Sequence, residues 1–244
     1  AFILLKTQLA GEYTLAASIA SLLYIFVNAS ITSHTARYIE LQKNNEWGLL
    51  KESFFRTSMV NNFLTVITIA GCYIYGDFIL NPVLLKLDKL SFIEDLVYLV
   101  CGTYILSNLW LPGCISNCMK KPQMALFTNL TFIISYISIM SLAFYLYGTV
   151  PLATSFLLSS IITFFINLIY FKKRIMEFHM LSYLRICFAL PIVVCVFLLI
   201  PMIYIASYNR LLSLILLLPY AYITHYLFIN TNKGNTFITR LVKE

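Results

Sequence analysis

The sequence predicts an all-α fold: a polytopic membrane helix bundle with about seven transmembrane helices. Its 244 residues are 60% hydrophobic and only 11% charged, whereas soluble domains are about 25% charged. Seven apolar stretches run through the chain, each near the roughly 20 residues that a helix needs to cross the hydrocarbon core. Strands of a membrane barrel would instead alternate over about ten residues. The loops between the stretches alternate between basic and nearly free of Lys and Arg.

The predicted spans divide the chain into two segments. Residues 1–175 form a bundle of five helices, and residues 176–244 add two more. Pro112 is expected to interrupt the third helix, because proline lacks a backbone donor and frees a carbonyl. The predicted helices lie at about 12–36, 59–80, 95–118, 125–148, 151–171, 185–205 and 211–229.

The basic residues predict the orientation of the bundle. The loops after the first, third and fifth helices and the C-terminal tail together carry 13 Lys and Arg, and the opposite set carries four. Because basic loops stay in the cytoplasm, the C-terminus is predicted to be cytoplasmic and residue 1 to lie outside. Topology and anionic headgroups also account for the net charge of +7, so no nucleic-acid partner is expected.

The N-terminal residues lead to an expectation about the length of the protein. The chain starts at Ala1, and its first residues, AFILLKTQLAGEY, lack the basic n-region of a signal peptide. A start on the outer face then predicts an odd number of helices upstream. We therefore expect a C-terminal fragment of a larger transporter-like protein, with a signal-cleaved mature chain as the alternative.

Neither a metal, a cofactor nor catalytic machinery is predicted. Cys114 and Cys118 share a helix face, but no His or carboxylate near them completes a metal site. The chain has no P-loop, Gly-rich nucleotide fingerprint, catalytic triad or HExxH motif. No Asp or Glu lies deep in a predicted span, so no ion-coupling site is expected.

Polar residues within the spans indicate a transport path. Six polar side chains occupy eight positions in the cytoplasmic half of the first helix, from Asn28 to Thr35, and Arg37 closes that half. For other Asn residues, including Asn129 and Asn167, hydrogen bonding between helices is the favoured role. The candidates for the substrate path are Asn28, Ser30, His34, Arg37, Asn108 and Asn117.

The loop at 37–56 is patterned like an amphipathic helix at the membrane interface. Apolar Trp47 and Phe54 alternate with basic residues such as Lys51, and tryptophan suits the headgroup level. The alternative is a solvated connector that its aromatic residues anchor.

The order of these features resembles a known family. Gly-Glu-Tyr at 11–13 opens a helix, SIASLLYIFVNASITSHTARYIELQ at 18–42 runs into the amphipathic stretch, and CYIYGDFIL at 72–80 ends the second helix. This pattern, clearest over residues 10–175, is similar to the polysaccharide flippases of the multidrug/oligosaccharidyl-lipid/polysaccharide exporter superfamily, particularly O-antigen repeat-unit transporters.

The resemblance implies a fold and an activity. The chain would be the C-terminal half of a MATE-like transporter of 12–14 helices in the bacterial inner membrane. It would move undecaprenyl-diphosphate-linked oligosaccharide to the outer leaflet by alternating access. Family cavities are commonly cationic, which implicates Arg37. The implied partners are the lipid-linked oligosaccharide, membrane lipids and other polysaccharide-assembly membrane proteins.

Other classes stay open at this point. An O-antigen polymerase or related membrane glycosyltransferase would be an enzyme of the same pathway, although the outer loops here are short. A multidrug antiporter of the same superfamily is the second alternative, although no buried carboxylate is visible in the sequence. A purely structural membrane subunit is the third.

Overall fold

The computed structural model shows an all-helical chain. It describes residues 7–84, 89–148, 151–193, 196–197, 201, 204–205, 219, 222 and 226. No strand occurs among these residues, so the all-α prediction is confirmed. The helices are α1 (Thr7–Lys43), α2 (Trp47–Leu84), α3 (Lys89–Ser107), α4 (Trp110–Cys118), α5 (Gln123–Tyr147), α6 (Leu152–Arg174) and α7 (Met180–Tyr183), followed by a π-helical turn at Leu184–Ala189.

Three helical segments are long and apolar enough to cross a membrane. They are Phe92–Cys118, Gln123–Tyr147 and Leu152–Arg174, with 27, 25 and 23 residues. They match the predicted third, fourth and fifth spans, which supports a membrane protein. The first and second predicted spans fall inside α1 and α2, which are not among the three, so their crossing stays a prediction. Most of the sixth, 185–205, lies within the described residues, where Met180–Val193 is a shorter apolar helix. The seventh, 211–229, falls largely outside them, so the total of seven also stays a prediction.

The third predicted span is interrupted just before Pro112. α3 ends at Ser107 and α4 begins at Trp110, because proline has no N–H for the carbonyl of Asn108 and its ring clashes with that carbonyl. A tight turn closes the gap, in which Leu109 N–H donates to the Leu106 carbonyl at 2.9 Å. The predicted interruption is confirmed, and it places Trp110 at the start of a new helix.

The described helices form two compact units. The first contains residues 1–35 and 81–176, and the second contains residues 36–80 and 177–244. In the first unit, α6 packs against both α3 and α5. Its buried face consists largely of small polar residues, which let neighbouring helices approach closely. These residues are Ser155, Ser159, Ser160 and Thr163.

The second unit is built on buried aromatic rings. Phe54 stacks on Tyr183 with ring centroids 5.2 Å apart, and Phe55 and Phe178 pack edge-on beside them. The Tyr183 hydroxyl lies 3.2 Å from that of Ser58. These contacts tie the segment after α6 to the N-terminal half of α2.

A close approach between α3 and α6 at Gly102 predicts the effect of adding one methyl group there. A Cβ on Gly102 would lie 2.6 Å from Cδ1 of Phe156 and 3.1 Å from Oγ of Ser160. Gly102→Ala should therefore destabilise the solubilised protein by about 1–3 kcal/mol through overpacking. Its thermal denaturation midpoint measures this change.

Gly113→Ala is the matched control, since a Cβ there meets nothing within 4 Å. It should be neutral or stabilising by up to about 1 kcal/mol, because alanine has the higher helix propensity. Equal midpoints for the two variants would contradict the close α3–α6 approach.

Candidate functional site

Five polar side chains lie on one side of α1 and are exposed among the described residues, together with the apolar side chains of Leu22 and Ile25. These polar residues are four, three, seven and four positions apart, which places them on a single side of the helix, where Ile25 also lies. From the first to the last they cover 19 residues, or about 27 Å of helix, nearly the thickness of the hydrocarbon core. We call this set the polar stripe: Thr14, Ser18, Ser21, Asn28 and Thr32, all exposed.

The opposite face of α1 is buried and mostly apolar. Ala16, Ala20, Val27 and Ile31 line it and are at most 4% exposed. Glu12 is also buried at the outer end of this face, at 3% exposure, where the sequence analysis had assigned it no role. The helix therefore turns small and apolar side chains inward, while its outward side mixes polar residues with Leu22 and Ile25.

α6 has the reverse arrangement. Its outward side chains within the span are Leu158, Ile162, Phe165, Ile166 and Ile169, each at least 40% exposed, and its buried face carries the hydroxyl groups. A helix that contacts lipid has this distribution, because polar groups in hydrocarbon need partners inside the protein. α6 is thus built to face lipid.

A bilayer-spanning α1 with this stripe cannot face lipid on that side. Some hydroxyls can bond their own helix, as Ser18 does to the Thr14 carbonyl and Thr32 to the Asn28 carbonyl, both at 2.8 Å. The amide of Asn28 is too polar to be left in hydrocarbon, where an unsatisfied group costs several kcal/mol. Such a surface fits a water-filled cavity or a polar partner.

α4 lies along one edge of the polar stripe. The ring of Tyr24 stacks on that of Trp110 at 5.0 Å with an interplanar angle of 12°. Further along α1, the hydroxyl of Thr35 lies 3.4 Å from the thiol of Cys114. Asn117, one turn after Cys114 on the same face, is exposed. We call the polar stripe together with Trp110, Cys114 and Asn117 the α1–α4 wall.

The structure separates the predicted path residues into different environments. Asn28 and Asn117 belong to the wall. His34 lies on the other side of α1, half-buried, with Nδ1 3.0 Å from the Ser33 hydroxyl. Asn108 is buried and its amide donates to the Tyr104 carbonyl at 2.9 Å, which is a structural contact. The side chain of Ser30 lies outside the described residues.

Arg37 belongs to the second unit, where it is exposed. It lies near Arg56, whose Nη2 is 3.2 Å from Oε1 of Glu52. Burial lowers the pKa of the Arg56 guanidinium, Glu52 opposes that shift, and the charge of Arg37 adds to it. Arg37 is therefore the more accessible of two neighbouring cations.

The amphipathic stretch at 37–56 is interrupted by a turn. Asn45 adopts a left-handed conformation with φ of 57°, and Glu46 N–H donates to the Leu41 carbonyl at 2.9 Å, which ends α1. Trp47 is exposed, Lys51 is half-buried and Phe54 is fully buried. Contact of Trp47 and Lys51 with headgroups stays a prediction, while Phe54 packs in the protein interior.

Asn167 links α5 and α6. Its Oδ1 accepts from the Thr128 hydroxyl at 2.8 Å, and its Nδ2 donates to the Thr163 carbonyl at 2.8 Å and lies 3.4 Å from Oγ1 of Thr131. The amide is fully buried. This arrangement confirms the helix-linking role expected for Asn167, whereas Asn129 on α5 is exposed.

Thr14, Ser18, Ser21 and Trp110 were not predicted as functional residues. The four- and three-residue spacing of Thr14, Ser18 and Ser21 is visible in the sequence and could have identified them. Nothing in the sequence could have shown that Trp110 meets Tyr24, because that contact joins residues 86 positions apart.

No family model matches this chain, and neither a curated protein nor a solved structure matches it. Its function is therefore inferred from the chemistry of the described residues.

The buried amide of Asn167 should contribute to the free energy of unfolding, because it links α5 and α6. Asn167→Ala should lower the free energy of unfolding by about 1–2 kcal/mol. The loss stays modest because the hydroxyls of Thr128 and Thr131 also contact carbonyls of their own helix, those of Met124 and Phe127. Denaturation of the solubilised protein provides the measurement.

Asn129→Ala makes the same change at an exposed amide of α5 and should shift stability by no more than about 0.5 kcal/mol. A similar effect from both variants would show that Asn167 does not join the two helices.

Proposed function

We propose that this chain is part of a flippase that moves lipid-linked oligosaccharide across the bacterial inner membrane. The cargo is an undecaprenyl-diphosphate-linked repeat unit, and the movement is from the inner to the outer leaflet by alternating access. The observation that carries the proposal is the polar stripe of α1. A transporter of a glycan needs hydrogen-bonding groups along most of the bilayer, and the five polar residues of the stripe are distributed over about 27 Å of α1, with the apolar Ile25 between Ser21 and Asn28.

The chemistry of the wall suits a sugar. Its hydroxyls and amides are neutral groups that can both donate and accept hydrogen bonds, as the hydroxyls of a glycan require. The outward faces of α5 and α6 are rich in Leu, Ile and Phe and would leave the polyprenyl tail in lipid. Arg37, the cation that the family resemblance implicates, would contact the diphosphate.

The finer architecture belongs to the same proposal. The chain would supply seven of the 12–14 helices of a MATE-like transporter, with its C-terminus in the cytoplasm. The polar stripe would then face the other half of the transporter across the central cavity. This placement explains why the chain leaves a polar helix face uncovered, and it requires no catalytic residue.

Replacing one amide of the stripe tests the proposal. Asn28→Leu in the full-length protein should slow export about tenfold, which corresponds to a hydrogen bond worth about 1.4 kcal/mol. Surface glycan should fall, and the lipid-linked repeat unit should accumulate in the inner leaflet at unchanged protein abundance. Both quantities are measured in membranes of the producing cell.

Asn129→Leu is the matched control, because it makes the same substitution at an exposed amide of α5 outside the wall. It should leave export unchanged. Normal export in Asn28→Leu would contradict the proposal. Accumulation in the outer leaflet would favour the polymerase, and drug sensitivity with normal glycan would favour the antiporter.

A further inference from the structure

Trp110 occupies an unusual depth for a tryptophan. Membrane tryptophans concentrate at the two interfaces. Trp110 stacks on Tyr24, which is the middle residue of the predicted span 12–36, and it lies eight residues before the end of the segment Phe92–Cys118, about 12 Å along the helix. Anchoring at the headgroup level therefore does not explain this residue.

The indole is held in place and is not covered. One face packs against Tyr24 nearly in parallel, with ring centroids 5.0 Å apart. The indole is nevertheless 38% exposed. A fixed aromatic surface binds with little loss of side-chain freedom, because its orientation is set beforehand.

Space and polar groups surround this exposed surface. Gly113 lies one turn after Trp110, and a Cβ there would meet nothing within 4 Å. Asn28 lies one turn after Tyr24, and Asn117 lies two turns after Trp110, and both are exposed. The wall thus combines a flat aromatic surface, open room beside it and two amides nearby.

A sugar ring matches this combination better than a hydrocarbon tail does. The C–H face of a pyranose packs on a flat aromatic surface, and its hydroxyls at the ring edge hydrogen-bond to amides. A polyprenyl tail would use the indole but would leave the amides without partners, which is unfavourable in a dry site.

We propose that Trp110 is a stacking platform for one sugar ring of the transported glycan and determines specificity for the sugar part of the cargo. This inference rests on the function proposed above. Trp110 positions the ring, and Tyr24 acts through Trp110 by holding the indole in its orientation.

Binding of two lipids by the full-length protein tests the platform. The probes are undecaprenyl diphosphate bearing the repeat unit of the producing cell and bare undecaprenyl diphosphate, measured by native mass spectrometry in detergent. Trp110→Leu should weaken binding of the glycan-bearing lipid about tenfold, or about 1.4 kcal/mol, and leave the bare lipid unchanged. Trp110→Phe, which keeps an aromatic face, should retain most of the affinity.

Trp47→Leu is the control, because Trp47 is 48% exposed and lies in the second unit, outside the wall. It should bind both lipids as the wild type does. If Trp110→Leu weakens binding of both lipids equally, the indole contacts the part that the two lipids share or supports the fold. The stacking role proposed for Trp110 would then be wrong.

The failure of the platform and the failure of the proposed function give different results. If the wild type prefers the glycan-bearing lipid and Trp110→Leu keeps this preference, the stacking role of Trp110 is refuted. The proposed function is not affected by that result. A wild type that binds neither lipid would refute the proposed function, and the platform with it.

Discussion

The arrangement of the helices depends on one constraint: polar groups need hydrogen-bond partners, and hydrocarbon supplies none. In lipid, every donor and acceptor must find a partner inside the protein or meet water. α6 obeys this rule by burying its hydroxyls and the amide of Asn167 while it turns Leu158 and Ile162 outward. α1 reverses the pattern, with Asn28 and Thr32 outward and Val27 and Ile31 inward. In a bilayer-spanning α1, the same constraint would keep the exposed amide of Asn28 out of lipid.

The packing of the first unit follows from the way α6 satisfies its polar groups. Its serines bond backbone carbonyls of the same helix, as Ser159 does to Ser155 and Ser160 to Phe156. Small residues that are satisfied in this way leave room for a close neighbour, and Gly102 of α3 occupies that room. Asn167 then joins α5 by accepting a hydrogen bond from the Thr128 hydroxyl at 2.8 Å. α6 is consequently the central helix of the unit, and α1 and α4 present the wall.

The sequence was sufficient to predict the helical class, the place of three spans and the break at Pro112, because hydropathy and proline act locally. It could not separate Asn28, Asn108 and Asn167, which are the same residue in similar apolar surroundings. One is exposed, one bonds its own helix and one joins two helices. Which neighbour each amide meets depends on how the helices pack. A local pattern likewise did not determine burial in the amphipathic stretch. Trp47 is exposed, Lys51 is half-buried and Phe54 is buried.

The accessibility of α1 to water tests the central claim most directly. Single cysteines at Ser21 and Asn28, and at Ile162 and Phe165 of α6, would be introduced into a full-length protein without its native cysteines. A membrane-impermeant maleimide reacts with thiolates, which form in water and not in hydrocarbon. We expect Ser21→Cys and Asn28→Cys to be labelled in intact membranes and the two α6 variants to stay unlabelled. Equal protection of all four positions would show that the polar stripe does not line an aqueous path.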